Sequence, residues 1–203
     1  MTNAQSLVRP NIRLLLLIAI ASTLTMTARA QSAAAPSATP PVASPTQPAP
    51  TPTGARPSDV GTMDSTVAAL YDVISGPAGT RDWDRFRSLF IPGARLIPTG
   101  PRPTGEVGSR VLTVDDFVQR AGALFEREGF FEREASRQTE RFGNIAHIFS
   151  TYESRHAKDD AKPFQRGINS IQLMNDGKRW WVVTIFWQGE DEKNPLPEKY
   201  LTR

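Results

Sequence analysis

The chain has 203 residues, no cysteine and a formal net charge of +3. Three of its basic residues lie in the first 30 positions, which hold no acidic residue, so the remainder carries 21 charges of each sign. A neutral remainder gives no electrostatic attraction to nucleic acid or to an anionic membrane, and we expect neither as a partner. Without cysteine, the fold must be held together without disulfides.

The first 30 residues have the pattern of a secretory signal peptide. Arg9 and Arg13 precede an apolar run over 14–21, and Ala28-Arg29-Ala30 supplies small residues at a cleavage position. The alternative is a membrane anchor, but the apolar run is far shorter than the ~20 residues that span a bilayer. We therefore expect an exported protein, periplasmic or secreted, with no membrane segment after signal cleavage.

Residues 31–57 hold eight prolines, with Ala, Ser and Thr filling most of the other positions. Such a segment has too little apolar surface to offset the entropy lost on ordering. It predicts a disordered, semi-rigid linker, and the alternative is a polyproline segment that binds a partner. The remaining residues, 58–203, are sufficient for one domain with its own core.

Helical periodicity predicts a first helix over 58–75, ended by Gly76-Pro77. Its apolar stripe consists of Val60, Met63, Val67, Leu70 and Ile74. At about 100° per residue, Tyr71 lies at the border of that stripe and Asp72 points away from it. We expect the Tyr71 hydroxyl to face the mouth of a cavity and Asp72 to face solvent.

Two further helices and two short strands are predicted before residue 130. A short helix begins near Asp82 and carries Trp83, Phe86 and Phe90 on one face. The third helix runs from Thr113, where Thr-x-x-Asp is a capping-box variant, to Gly129. The strands are predicted over 94–98 and, more weakly, over 107–112.

Four long antiparallel strands are predicted after residue 130. The first, 130–142, lacks an apolar face, which is typical of a solvated or edge strand. The second covers 145–155, and the last two form a hairpin over 166–187 around Asn175-Asp176-Gly177. Both faces of the final strand are apolar, which predicts that its own helices and a partner subunit cover the sheet.

The predicted fold class is α+β, with a curved antiparallel sheet wrapped around three N-terminal helices. The strings Tyr152-Glu-Ser-Arg155, Phe164–Gln172, Asp176-Gly-x-x-Trp-Trp181 and Asn194–Tyr200 resemble the nuclear transport factor 2-like superfamily, and within it the SnoaL-like bacterial exported proteins. The resemblance covers residues 58–203. It implies a cone-shaped domain that encloses a pocket, commonly as a homodimer, but leaves activity open, since isomerases, dehydratases, cyclases and binding proteins share the scaffold.

His147 is the leading candidate for an acid/base group. It shares a strand face with Ile145, Phe149 and Thr151, and an imidazole titrates near neutral pH. The alternative is a core histidine satisfied by one hydrogen bond. By analogy of helix position within the superfamily, Tyr71 would be its hydroxyl partner. Arg95 lies where the resemblance would place an acid. It suggests an anionic head group on the ligand, and the alternative is a solvated surface arginine.

The predicted ligand pocket consists of Tyr71, Trp83, Phe86, Arg95, His147 and Asn169. The leading hypothesis is an exported domain that binds a small apolar or amphipathic molecule, with no demonstrated chemistry. The second is an isomerase, dehydratase or cyclase that uses His147 and Tyr71, and the third is a homodimeric interaction module. We expect no cofactor and no metal site, because the two histidines lack a carboxylate cluster at ligand spacing.

Overall fold

In a computed structural model, the structure describes residues 54–201; the predicted signal peptide (1–30) and most of the predicted linker (31–57) lie outside them. The elements are helices α1 (Pro57–Val60), α2 (Met63–Ile74), α3 (Trp83–Ser88) and α4 (Val114–Phe125), strands β1 (Phe90–Pro101), β2 (Val107–Ser109), β3 (Phe131–Phe142), β4 (Ile145–Arg155), β5 (Gln165–Asn175) and β6 (Trp180–Gly189), and a 3₁₀ turn at Glu198–Tyr200. Within the described residues, no helix has the length and apolar character needed to span a membrane.

The predicted first helix is divided into α1 and α2. Thr62 has an extended backbone, with φ −130° and ψ 160°, which interrupts the helix. Its side chain accepts from the Ser65 amide at 3.0 Å, and the Ser65 hydroxyl accepts from the Thr62 amide at 3.1 Å. This reciprocal capping box starts α2, so the prediction of one continuous helix was wrong.

Helices α3 and α4 begin where the sequence predicted them. Asp82 accepts from the backbone of Arg85 at the start of α3, and Thr113 forms a capping box with Asp116 at the start of α4. Helix α4 ends at Phe125 rather than at Gly129. The strand predicted over 94–98 is longer than expected, because β1 pairs with β6 over much of its length.

The six strands form one sheet in the order β2-β1-β6-β5-β4-β3. All neighbouring pairs are antiparallel except β1 and β6, which run parallel. The predicted α+β class is confirmed, and β3 is the edge strand that its sequence indicated. Sequence reasoning did not find the parallel β1–β6 pair, because a parallel neighbour leaves no turn signal in the chain.

One face of the sheet, here called the inner face, packs against the helices. Its core includes Phe86, Phe90, Leu96, Ile148, Ile171, Leu173 and Val182, each at most 2% exposed. The opposite face is called the outer face. Because side chains alternate along a strand, every residue is assigned to one face or the other by its register.

Two β-bulges change that alternation. In β3, Glu134 pairs with Tyr152 and Ser136 with Thr151, so Ala135 is the extra residue. In β6, Val182 pairs with Leu173 and Thr184 with Gln172, so Val183 is the extra residue. A bulge moves all later side chains to the opposite face. Trp180 and Val182 therefore share the inner face with Ile185 and Trp187, whereas strict alternation along the strand would put Trp181 and Val183 there.

Gly167 in β5 permits close packing of two other groups. A Cβ at this position would lie 2.6 Å from the Tyr152 hydroxyl oxygen and would collide with the Gln188 carbonyl oxygen. We expect Gly167→Ala to lower the free energy of unfolding by about 1–3 kcal/mol, the usual effect of overpacking. Urea denaturation measures it.

The matched control is Gly100→Ala in β1, where an added Cβ meets no atom within 4 Å. Its effect should stay within about 0.5 kcal/mol, as for most substitutions in open space. Equal losses in the two variants would contradict the close approach at Gly167.

Candidate functional site

A group of polar side chains lies on the inner face between α2 and strands β3, β4 and β5. This polar cluster consists of Tyr71, Glu132, Glu134, Ser150, Tyr152, Ser154 and Asn169. Four elements contribute to it, so residues far apart in sequence meet in one place. It is polar in a region whose other residues are mainly apolar.

Glu132 is the central acid of the cluster. Its carboxylate accepts from the Ser154 hydroxyl at 2.8 Å. Within residues 54–201, no salt bridge reaches it. Removal from water raises the pKa of Glu132 from its ordinary 4.5 to about 7, and the side chains of Ser154 and Asn169 oppose this shift. Near neutral pH, Glu132 can therefore both release and take up a proton.

Tyr71 lies in the middle of the cluster. Its hydroxyl is 2.7 Å from the Ser150 hydroxyl, and it accepts from the Asn169 amide nitrogen at 3.1 Å. The Tyr71 side chain is buried. Its position on the helix had suggested a place at the mouth of a cavity instead. Burial raises the pKa of Tyr71, and the nearby Glu132 raises it further, so this hydroxyl stays protonated.

Glu134 is the second acid, and it differs from Glu132 in having a cation beside it. Arg137 donates to one carboxylate oxygen from Nε at 2.8 Å and from Nη2 at 2.6 Å, and it also contacts Asp64. The other oxygen accepts from Ser150 at 2.5 Å. The bulge at Ala135 makes this pairing possible, because it turns Arg137 to the face of Glu134.

Tyr152 presents a hydroxyl that makes no hydrogen bond within residues 54–201, although the residue is 5% exposed. The hydroxyl packs against the backbone of Gly167, in the space that a side chain at this position would fill. Burial and the charge of Glu132 raise the pKa of Tyr152. The group is therefore a neutral donor, close to Glu132, that is available to a ligand.

The end of α2 fixes the position of Glu132. The Ser75 hydroxyl donates to the Glu132 carbonyl at 3.0 Å and accepts from its amide at 2.9 Å. Gly76 exchanges two backbone hydrogen bonds with Phe130, at 2.7 and 2.9 Å. An edge strand has unpaired backbone groups, and these contacts use them to attach β3 to the helix that carries Tyr71.

The segment after α2 is held in turn by Arg81, which is 8% exposed. Its guanidinium donates to the carbonyl oxygens of Ile74, Gly76, Pro77 and Gly79 at 2.8–2.9 Å. Burial lowers the pKa of Arg81, and the four carbonyl dipoles compensate its charge. Arg81 thus shapes the loop that contacts β3.

A surface cavity of about 350 Å³ lies over this same loop. It is lined by residues 72–73, 75–82 and 85. None of the predicted pocket residues lines it, and neither Glu132 nor Tyr152 does. The guanidinium of Arg81, which lines this cavity, already donates to four carbonyl oxygens.

The structure joins two of the predicted pocket residues, Tyr71 and Asn169, by a direct hydrogen bond. His147 lies on the outer face, where its Nε2 is 2.9 Å from the Ser170 hydroxyl. In β4 the inner residues are Ala146, Ile148, Ser150 and Tyr152, so His147 alternates away from them. The predicted acid/base pair of His147 and Tyr71 is therefore not formed, because the two residues face opposite sides of the sheet.

The remaining predicted residues lie away from the cluster. Phe86 is in the core, and Trp83 packs edge-on against it and stacks on Phe125 under α4. Arg95 is exposed and contacts the carbonyl of Gly93, because its neighbours Ala94 and Leu96 take the inner positions of β1. These three side chains do not meet Tyr71 in a common site.

The central acid was missed by sequence reasoning. The strand 130–142 was interpreted as solvated, so Glu132 and Glu134 received no role. A signal was present, because the spacing Glu-x-Glu puts both carboxylates on one strand face. Ser150, Tyr152 and Ser154 show the same two-residue spacing on the next strand. Sequence reasoning could not pair these two patterns without knowing which faces meet the helices.

Comparison with family models gave no match, and neither did comparison with curated proteins. Among solved structures, the chain is similar to a Nostoc punctiforme protein of unknown function with a cystatin-like fold, at 9% identity and TM-score 0.49, covering 64% of this chain and 90% of that one. It is also similar to a Streptomyces avermitilis protein whose name proposes a dehydratase of the NTF2-like family, at 11% identity and TM-score 0.47, covering 66% and 96%.

A third similar structure is an NTF2-like protein of unknown function from Silicibacter pomeroyi, at 17% identity and TM-score 0.40, covering 64% of this chain and 99% of that one. Two of these three names contain the term NTF2-like, and the other gives a cystatin-like fold. At these identities and TM-scores they carry no argument about activity. The functional proposal therefore starts from the contacts in this chain.

The raised pKa of Glu132 gives a prediction about stability. Between pH 4.5 and 7 the folded state binds more protons than the unfolded state, so the free energy of unfolding falls as pH rises through this window. The contribution of Glu132 is at most about 3 kcal/mol. Glu132→Gln removes this pH-dependent contribution. The free energy of unfolding of the variant, relative to that of wild type, should therefore rise from pH 5 to pH 8. Urea denaturation at both pH values measures this change.

Glu140→Gln is the control, because Glu140 is an exposed glutamate of the same strand. Its stability relative to wild type should not change over this pH range. A flat difference for Glu132→Gln as well would show that Glu132 titrates like an ordinary surface glutamate.

Proposed function

We propose that this domain binds a small, largely apolar carbonyl compound at the polar cluster and moves a proton on it, as isomerases and dehydratases do. Glu132 takes a proton from the carbon next to the carbonyl and returns it elsewhere on the substrate. The Tyr152 hydroxyl donates to the carbonyl oxygen and stabilises the negative charge that develops there. The proposal replaces His147 by Glu132 as the acid/base group.

One observation carries this proposal, namely that Glu132 has no cation beside it and titrates near pH 7 next to an unpartnered hydroxyl. A structural carboxylate in a protein interior is usually paired, as Glu134 is with Arg137. A general base is most effective when its pKa lies near the working pH. The desolvation of Glu132 meets this condition.

The neighbouring groups support an apolar ligand. Trp187 is opposite Asn169 in the sheet register and packs against Phe117 with a ring-centre distance of 6.3 Å. Ile171 and Leu173 continue the inner face from Asn169 along β5. A ligand seated at Glu132 and Tyr152 would therefore have its polar atoms at the cluster and its apolar part toward these side chains. Such a site suits an uncharged molecule with one carbonyl group.

The second candidate function is association into a homodimer, which apolar side chains on the outer face favour. Phe186 is 44% exposed there, although β6 is an interior strand of the sheet. Ile168 and Phe149 lie nearby on β5 and β4. Tyr200 of the C-terminal segment packs on Phe149, at 5.1 Å between ring centres, and leaves Phe186 open. We propose that a second copy of the chain covers this surface.

We also propose that the protein is exported from the cytoplasm. The n-region, apolar run and cleavage pattern within residues 1–30 support a periplasmic or secreted location. The proline-rich segment that follows would separate the domain from the cleavage site.

Exchange of ketone α-protons tests the proposed chemistry. The protein is incubated with cyclohexanone and with a two-ring ketone in D₂O at neutral pH, and proton NMR follows the loss of the α-proton signals. We expect Glu132→Gln to lower the protein-dependent rate by about 10²-fold or more, the usual contribution of a general base. Tyr152→Phe should lower it at least about tenfold, because the developing oxyanion loses its donor.

Glu140→Gln is again the matched control and should retain the full rate. The proposal is refuted if wild type exchanges these protons no faster than Glu132→Gln does. If Tyr152→Phe nevertheless exchanges more slowly than wild type in that case, the base is a residue other than Glu132.

Light scattering tests the homodimer. We expect a dimer at micromolar concentration and a monomer for Phe186→Glu, because a buried charge without a partner opposes association. The control is Phe142→Glu, since Phe142 is 84% exposed at the tip of the β3–β4 hairpin. A wild-type monomer, or dissociation by both substitutions, would contradict an interface centred on Phe186.

A further inference from the structure

We propose that Glu134 is a positioning residue, which fixes the direction of a hydrogen-bond chain through Ser150 and Tyr71 and thereby turns the Asn169 amide toward Glu132. This inference rests on the proposed role of Glu132 as the acid/base group. It gives a function to the second carboxylate of the cluster, which the proposed proton transfer does not use. It also explains why the two acids, two residues apart on one strand, have such different surroundings.

Glu134 is the anchor of this chain because it can only accept hydrogen bonds. Its Oε2 receives both Nε and Nη2 of Arg137, at 2.8 and 2.6 Å, which stabilises the ionised carboxylate. Its Oε1 is 2.5 Å from the Ser150 hydroxyl. An ionised carboxylate has no proton to give, so Ser150 must donate to it.

Because Ser150 donates to Glu134, the donor in each of the next two hydrogen bonds of the chain is also determined. A serine hydroxyl has one proton, and that of Ser150 is used at Glu134. The 2.7 Å contact between Ser150 and Tyr71 therefore has Tyr71 as its donor. The single proton of Tyr71 is then also committed, so Tyr71 can only accept from Asn169, at 3.1 Å. This determines which end of the Asn169 amide faces Tyr71, namely the nitrogen.

The last step connects the chain to the acid. Asn169 Nδ2 has two protons, and with one directed at Tyr71 the other is available to Glu132, whose pKa the Asn169 side chain lowers. Ser150, Tyr71 and Asn169 are each at most 9% exposed, so water does not compete for these bonds. The chain therefore leaves Tyr152 as the tyrosine of the cluster that can donate to a ligand, whereas Tyr71 acts by orienting Asn169.

A double-mutant cycle on the pKa of Glu132 separates this role from simple electrostatics. The pKa is measured by NMR of the ¹³C-labelled carboxyl group, identified by its absence in Glu132→Gln. Glu134→Gln removes a charge and also frees the chain, because a Gln amide can donate as well as accept. Ser150→Ala breaks the chain without changing any charge.

We expect Ser150→Ala alone to raise the pKa of Glu132 by about half a unit or more, as for the loss of one hydrogen bond to the carboxylate. Glu134→Gln changes the pKa of Glu132 in each background. We expect this change to be more positive in wild type than in Ser150→Ala, by about half a unit or more. A purely electrostatic effect would be the same in both backgrounds. Tyr71→Phe can replace Ser150→Ala in the cycle and should give the same coupling.

Asp64→Asn is the matched control, because Asp64 contacts the opposite side of Arg137 at 2.6 Å and has no contact with Ser150. Asp64→Asn should change the pKa of Glu132 by the same amount in wild type and in Ser150→Ala. Zero coupling for Glu134→Gln, or equal coupling for Asp64→Asn, overturns the inference. The measurement needs no substrate, so a positive cycle with no ketone exchange would refute the proposed function and leave the positioning role of Glu134 intact.

Discussion

The carboxylate of Glu132 is removed from water with no cation beside it, and the surrounding structure must compensate. Desolvation of an unpaired carboxylate is unfavourable, and its pKa of about 7 expresses this directly. Ser154 reduces this cost by donating to the carboxylate, and Asn169 also lowers the pKa, but neither side chain neutralises the charge. A domain that retains such a group gives up stability above neutral pH in return for a side chain that can exchange protons.

The position of Glu132 depends on an edge strand, which is an unusual place for a fixed group. Strand β3 has a neighbour on one side, and helix α2 supplies the missing contacts on the other through Ser75 and Gly76. Arg81 holds the carbonyls of that loop in turn. The buried guanidinium of Arg81, surrounded by carbonyl dipoles, thus supports the location of the half-buried Glu132 through backbone contacts.

Much of the fold could be predicted from local patterns. The caps at Asp82 and Thr113, the hairpin turn at Asn175-Asp176-Gly177 and the edge position of β3 all depend on interactions within a few residues, and they are confirmed. The candidate site was predicted less well. Tyr71 and Asn169 do meet, because each was placed on its correct face by helical or strand periodicity. His147 was assigned to the inside because its apolar neighbours line an outer face that is itself partly apolar.

The sequence by itself determined the order of helices and strands, since each depends on the period and capping of its own segment. It also determined the composition of each strand face, up to the first bulge. Only the tertiary structure decided which faces point to the helices. One extra residue at Ala135 brings Arg137 to Glu134, and one at Val183 redistributes the tryptophans of β6. Such single-residue shifts are set by packing against neighbouring strands, and they decide which side chains beyond each bulge reach the inner face.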